Sequence, residues 1–133
     1  MNALEFRFVF HANDFERALT FYRDLLEMPM VGGWDRSDGK GVLLSAGSGG
    51  VIEIFGPAEG KTYNGPSPTG LSLALRVADV RTVDAWYQKL SLLGAQITVA
   101  PADRPWGHRS FVVLDPDGIP VHIYCVLDAR GHD

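Results

Sequence analysis

An internal repeat limits the architecture of this chain more than any other feature. Asp14, Phe15, Ala18, Tyr22 and Leu25 are answered by Asp79, Val80, Val83, Tyr87 and Leu90 at a constant spacing of 65, and Phe21-Tyr22 by Trp86-Tyr87. In each copy the apolar positions recur as one stripe of an amphipathic helix, and the aspartate stands where the first turn needs a cap. Asn13 is a second candidate cap for the first helix, with Glu16 three residues on to complete a capping box.

Each helix follows an alternating segment. Phe6, Phe8 and Phe10 share one face of a strand, with Arg7, Val9 and His11 on the other; Leu71, Leu73, Leu75 and Val77 oppose Ser72, Ala74 and Arg76 in the same way. After the first helix comes a polar, glycine-containing stretch from Val31 to Lys40. GVLLSAG and GVIEIFG then read as a hairpin around Gly47-Ser48-Gly49-Gly50. Gly94 ends the second helix, and Gln96 to Ala100 is expected as a short strand before a Pro101 to Pro105 turn region. A last hairpin, FVVLDPDGIPVHIY, turns at Asp115-Pro116-Asp117-Gly118. Pairing Leu114 with Ile119 there sets Phe111 opposite His122 and Arg109 opposite Tyr124, all on one face.

The expected organisation is a single domain over 1–133: a first module over about 1–56, a Gly-, Pro- and Ser-rich linker over about 57–69, and a second module over about 70–127. Each module is a strand, a helix and three strands. One helix covers one sheet face, so the opposite face needs another cover. The helix side is expected to carry Phe6, Phe8, Phe10, Ile52, Ile54, Leu71, Leu73, Leu75, Val121 and Ile123. The other side is expected to carry Arg7, Val9, Leu44, Glu53, Phe55, Ser72, Ala74, Phe111, His122 and Tyr124. That mixture of aromatic, aliphatic and ionisable groups suits a small-molecule cleft.

Composition excludes several classes of partner. With 46% apolar and 21% charged residues, a chain of 133 residues has the make-up of a folded globular domain. A net charge of −4 without any run of Lys or Arg argues against nucleic acid and anionic membranes, and is too small to decide the charge of a ligand. No apolar run approaches the roughly 18 residues of a membrane span, and no leader pattern opens the chain, so a cytoplasmic location is expected. The single cysteine, Cys125, cannot form an internal disulfide and reads as a small buried hydrophobe. No Ser-His-Asp spacing, P-loop or dinucleotide glycine motif occurs.

The paired units, the segment DFERALTFY, the strand VIEIFG and the ending DPDGIPVHIY together resemble the vicinal oxygen chelate superfamily, over nearly the whole chain. That group contains glyoxalase I, extradiol dioxygenases, fosfomycin-modifying enzymes and bleomycin resistance proteins. The resemblance implies an α+β fold of two paired βαβββ modules forming a curved mixed sheet around a cleft, commonly in a homodimer. Metal-dependent relatives place one ligand on the first and one on the last strand of each module, positions that fall here on Arg7, Glu53, Ser72 and His122. Arg7 is cationic and donor-only, and Ser72 is a weak ligand, so Glu53 and His122 are the remaining candidates for a divalent metal.

Three accounts of those positions stay open. Arg7 replaces the metal charge, pairs with Glu53 and leaves a cleft that binds an organic ligand without chemistry; or Glu53 and His122 keep a metal with help from His11, His108 or water; or both are satisfied polar residues and the cleft is vestigial. The first is preferred, with sequestration as in bleomycin resistance proteins as its implied mechanism. A glyoxalase- or dioxygenase-type lyase or oxygenase using Glu53 and His122 is the alternative, and His122 is then the best acid or base. The expected ligand-contacting set is Arg7, Glu53, Ser72, Trp106, Arg109, Phe111, His122 and Tyr124. Trp106, in a PWG element similar to one in bleomycin-resistance sequences, either stacks on a planar ligand or covers the module junction. Trp34 and Tyr63 read as packing caps or lids, Trp86 and Phe21 as packing residues, and His132 as a solvated terminal residue.

Overall fold

The computed structural model describes residues 1–128, which leaves His132 outside the described residues. Two compact units meet in sequence between Pro68 and Thr69. The first contains β1 (Phe6–His11), a helix α1 (Phe15–Leu19) that continues as a π-helical turn (Thr20–Leu25), and strands β2 (Met30–Arg36), β3 (Gly39–Gly47) and β4 (Gly50–Gly56). The second contains β5 (Leu73–Arg76), α2 (Val80–Leu92), β6 (Gln96–Asp103), β7 (His108–Leu114) and β8 (Pro120–Val126). Each is a βαβββ unit with a four-stranded mixed sheet, in the order β1-β4-β3-β2 and β5-β8-β7-β6. First and last strands run parallel, and the other neighbours antiparallel.

The aspartates cap both helices: Asp14 Oδ1 accepts from the Arg17 amide at 3.1 Å, and Asp79 Oδ1 from the Thr82 amide at 2.9 Å. Asn13 instead donates to Ser67 Oγ at 2.6 Å. Gly94, at φ +79°, ends α2 in the left-handed conformation a C-cap requires. The repeat breaks at the end of the first helix. There the Leu26 amide bonds back five residues to the Phe21 carbonyl, and the inserted residue turns the apolar stripe from Leu25 to Leu26, which is buried. Leu90, the counterpart of Leu25 in the regular α2, is fully buried.

Three expectations about strands change. The polar stretch from Val31 to Lys40 contains β2, an edge strand whose glycines hide its alternation: Trp34 lies across from Gly41, where a Cβ would stand 2.3 Å from the indole. β6 runs beyond Ala100 through Pro101 to Asp103, with its register shifting between Val99 and Ala102; proline is tolerated there because β6 is an edge strand. Leu44 pairs with Ile52 and is fully buried on the helix side, so Leu43, opposite Glu53, takes its place on the other face.

The last hairpin carries the main correction. Leu114 pairs with Pro120, not Ile119; Phe111 lies opposite Ile123, Val112 opposite His122 and Ser110 opposite Tyr124. Asp115 and Ile119 close the loop through the Asp115 amide and Ile119 carbonyl at 3.0 Å, around a turn in which the Gly118 amide reaches the Asp115 carbonyl. Gly118 at φ +84° completes a three-residue loop of the type I turn plus left-handed residue kind. The Asp115 carboxylate holds it, accepting from the Asp117 and Ile119 amides at 2.8 Å each. A one-residue change of register exchanges the faces, so Phe111 joins Val121, Ile123 and Cys125 on the α2 side, where its ring meets Tyr87 edge-on at 5.6 Å.

Candidate functional site

In the first unit, Arg7 on β1 and Glu53 on β4 project from the sheet face away from α1. Arg7 Nη1 donates to Glu53 Oε1 at 3.2 Å, while Arg7 Nε donates to Glu5. Those two carboxylates, Glu5 foremost, raise the already high pKa of Arg7. The same face gathers rings: Tyr63 stacks on His11 at 3.9 Å, and Trp34 meets Phe55 edge-on at 5.5 Å. The expected pairing of Arg7 with Glu53 is therefore present as a contact, half exposed on the arginine side.

In the second unit, the face of the sheet opposite α2 holds a pocket of about 370 Å³. Ser72 and Ala74 line it from the first strand and its approach, His122 and Tyr124 from β8, His108 and Ser110 from β7, and Trp106 from the β6–β7 turn. Parallel pairing of Ala74 with His122 and antiparallel pairing of Ser110 with Tyr124 set these side chains side by side. His108 and Tyr124 stack on each other at 4.5 Å and 24°, and Trp106 stands 67% exposed at the turn. The ring nitrogens of His108 and His122, the Tyr124 hydroxyl and the Trp106 N–H make no hydrogen bond to any described residue. A pocket with one stacked pair of rings, one projecting indole and several unengaged polar atoms can take a flat molecule and orient it by its edge.

Of the residues expected from sequence, Ser72, Trp106, His122 and Tyr124 come together here. Phe111 and Arg109 do not. The shift of register carries both to the α2 side, where Phe111 is fully buried. Arg109 donates there to Asp84 of α2 at 2.9 Å and to Asp103 at 3.2 Å, which raises its pKa, Asp84 foremost. Their places are taken by Ser110 and His108, the latter weighed from sequence only as an auxiliary metal ligand. The turn sequence held the signal: a glycine third in the loop after Asp-Pro-Asp favours the three-residue loop, and with it the register that turns Ser110 and His108 inward.

The donor sets bear directly on a resident metal. In the first unit the Glu53 carboxylate is engaged by a guanidinium, which cannot ligate a divalent ion and repels one, and the pocket of the second unit contains two imidazoles and no carboxylate. Among the described residues no three His, Cys, Asp or Glu side chains converge. Neither unit by itself offers the roughly three ligands a catalytic divalent site uses. No helix among the described residues is long and apolar enough to cross a membrane.

The chain was compared with known proteins. Residues 7–123 match the family model described as the Glyoxalase/Bleomycin resistance protein/Dioxygenase superfamily. Among solved structures, the glyoxylase/bleomycin resistance protein/dioxygenase domain from Frankia sp. EAN1pec superposes with a TM-score of 0.78 at 16% identity, covering 99% of this chain and 97% of that one. A glyoxalase/bleomycin resistance protein/dioxygenase from Nocardioides gives 0.72 at 18% identity over 97% and 86%. The lactoylglutathione lyase from Agrobacterium tumefaciens gives 0.68 at 24% over 90% and 91%. At these identities the likeness is one of fold. No curated protein matches the chain in sequence.

Proposed function

This chain belongs to the Glyoxalase/Bleomycin resistance protein/Dioxygenase superfamily, and on that premise we propose that it binds a small planar organic molecule without a metal and without transforming it. Sequestration of the bleomycin-resistance kind, by a cytoplasmic homodimer, is the role this reading gives it. The carrying observation is the pocket opposite α2, with its stacked His108–Tyr124 pair and exposed Trp106. The ion pair of Arg7 with Glu53 supports the absence of a metal, because the guanidinium supplies the positive charge that the carboxylate would otherwise take from an ion. A second reading, a lyase or oxygenase of the glyoxalase type acting through Glu53 and His122, draws on the ring nitrogens of His122, which make no hydrogen bond to described residues.

Titration of the dialysed protein with naphthalene-based fluorophores tests the first reading. Saturable one-to-one binding is expected, weakened roughly 3- to 10-fold by Trp106→Ala, the loss of one aromatic contact. Stoichiometric Zn, Ni, Mn or Fe retained after dialysis would overturn it. Turnover of a thiohemiacetal or catechol abolished by Glu53→Gln would establish the second reading instead.

A further inference from the structure

The electrostatics of the pocket wall specify the ligand further, a step that rests on the binding role just given to that pocket. Arg104, in the turn between β6 and β7, lays its guanidinium along the strand behind the pocket. Its Nε donates to Ser110 Oγ at 3.1 Å, and its Nη2 to the carbonyls of Ser110 and Ala100 at 2.9 Å each. Every one of these acceptors is neutral. The carboxylates of Asp84 and Asp103 are both engaged by Arg109 on the opposite face. Arg104 Nη1 has no partner among the described residues, and Arg104 forms no ion pair among them. No carboxylate among the described residues pairs with its charge, and the lining of the pocket beside it contains no acidic group.

Ser110 transmits that charge into the pocket. The residue is 9% exposed, and its hydroxyl oxygen already accepts from the guanidinium, so its O–H is left to act as a donor. A hydroxyl that accepts a charge-assisted bond is a stronger donor, since each bond polarises the next. The Tyr124 hydroxyl and the Trp106 N–H add donors, and no carboxylate stands on the lining. An anion brought out of water is tolerated where it meets hydrogen-bond donors and a cation without a carboxylate partner, whereas a cationic ligand would find no carboxylate on the lining.

We propose that the pocket selects a planar molecule bearing an anionic group, a carboxylate in the simplest case, which accepts from the Ser110 hydroxyl, with Arg104 as the positioning residue that orients that hydroxyl. The ring lies beside the stacked His108–Tyr124 pair and the anion points toward Ser110 on β7.

Three probes of one shape test this: 2-naphthoate, 2-naphthamide and 2-naphthylmethylammonium, titrated by calorimetry into the wild-type protein. The carboxylate is expected to bind about tenfold or more tighter than the amide, and the ammonium weakest, the discrimination a charge-assisted hydrogen bond supplies. Ser110→Ala and Arg104→Gln should each weaken the carboxylate more than the amide, bringing the two to within about threefold, and Arg104→Lys should restore part of the preference. A purely structural role for Arg104 would lower the affinity of all three probes together. Equal or tighter binding of the amide or the ammonium by wild type overturns the charge selection and leaves the binding role standing. No binding of any probe overturns both. Should Arg104→Gln fail to fold, wild-type selectivity and Ser110→Ala decide the matter alone.

Discussion

Phe111→Ala distinguishes the two possible registers of the last hairpin, and so tests which side chains the pocket receives. With Leu114 opposite Pro120, Phe111 is fully buried beneath α2 and meets Tyr87 edge-on at 5.6 Å. A buried phenylalanine covers roughly 150–250 Å², which at about 25 cal/mol per Å² corresponds to about 4–6 kcal/mol as an upper bound. Measured Phe→Ala truncations in cores cost about 3–5 kcal/mol, and the lost ring pair lies within that range. With a urea slope of about 2 kcal/mol per M, a loss of about 4 kcal/mol moves the unfolding midpoint down by about 2 M. Equilibrium urea unfolding followed by far-ultraviolet circular dichroism reads that shift directly. Had Leu114 paired with Ile119, Phe111 would stand beside His122 on the face opposite α2, and its truncation would cost far less stability while altering ligand affinity. A loss below about 1 kcal/mol, or a variant of near wild-type stability with weakened naphthyl binding, would refute the register and the site built on it.

Other expectations follow from single positions. Gly118→Ala meets no atom within 4 Å of the added Cβ, so its cost is the left-handed backbone alone, about 1–2 kcal/mol and a drop of several degrees in Tm; Gly118→Asn should lose less. A Tm equal to wild type for Gly118→Ala would show that the turn is not held at positive φ. Gly41→Ala should displace the Trp34 indole, which lies where the new Cβ would be, and red-shift the tryptophan emission; an unchanged spectrum would contradict that packing. Asp79 has its pKa lowered by hydrogen bonds from Thr82, the side-chain hydroxyl first and then the amide. A group whose pKa falls on folding contributes stability above its unfolded pKa of about 4 and loses it as pH drops through the lowered value. The Tm advantage of wild type over Asp79→Asn should therefore hold at pH 6–8 and shrink on acidification below about pH 4. A difference constant from pH 7 to 3 would refute the linkage.

The repeat was legible because helix caps and apolar stripes are local: Asp14 and Asp79 cap as their positions imply, and Val83 and Leu90 are buried where the stripe puts them. Membership of the superfamily was legible for the same reason, since it rests on segments whose residue types declare their own structure. The lining of the candidate pocket was legible in part. Ser72, Trp106, His122 and Tyr124 were named from sequence and line one pocket, while Ser110 and Arg104 were not.

What the chain wrote locally was the existence and order of its elements, apart from β2, whose glycines mask the alternation that marks a strand. What only the tertiary structure decided was register. Phe111, Val112 and Val113 are all apolar and all buried, so the pattern of β7 does not say which of its faces lies under α2. That choice was made at the loop, where Asp115 holds the Ile119 amide and Gly118 takes a positive φ. The π-helical turn after Leu19 acted in the same way, moving the buried position from Leu25 to Leu26. A strand has a period of two and a helix a fixed turn, so one inserted residue, invisible to composition, exchanges the side chains that pack under the helix with those on the opposite face.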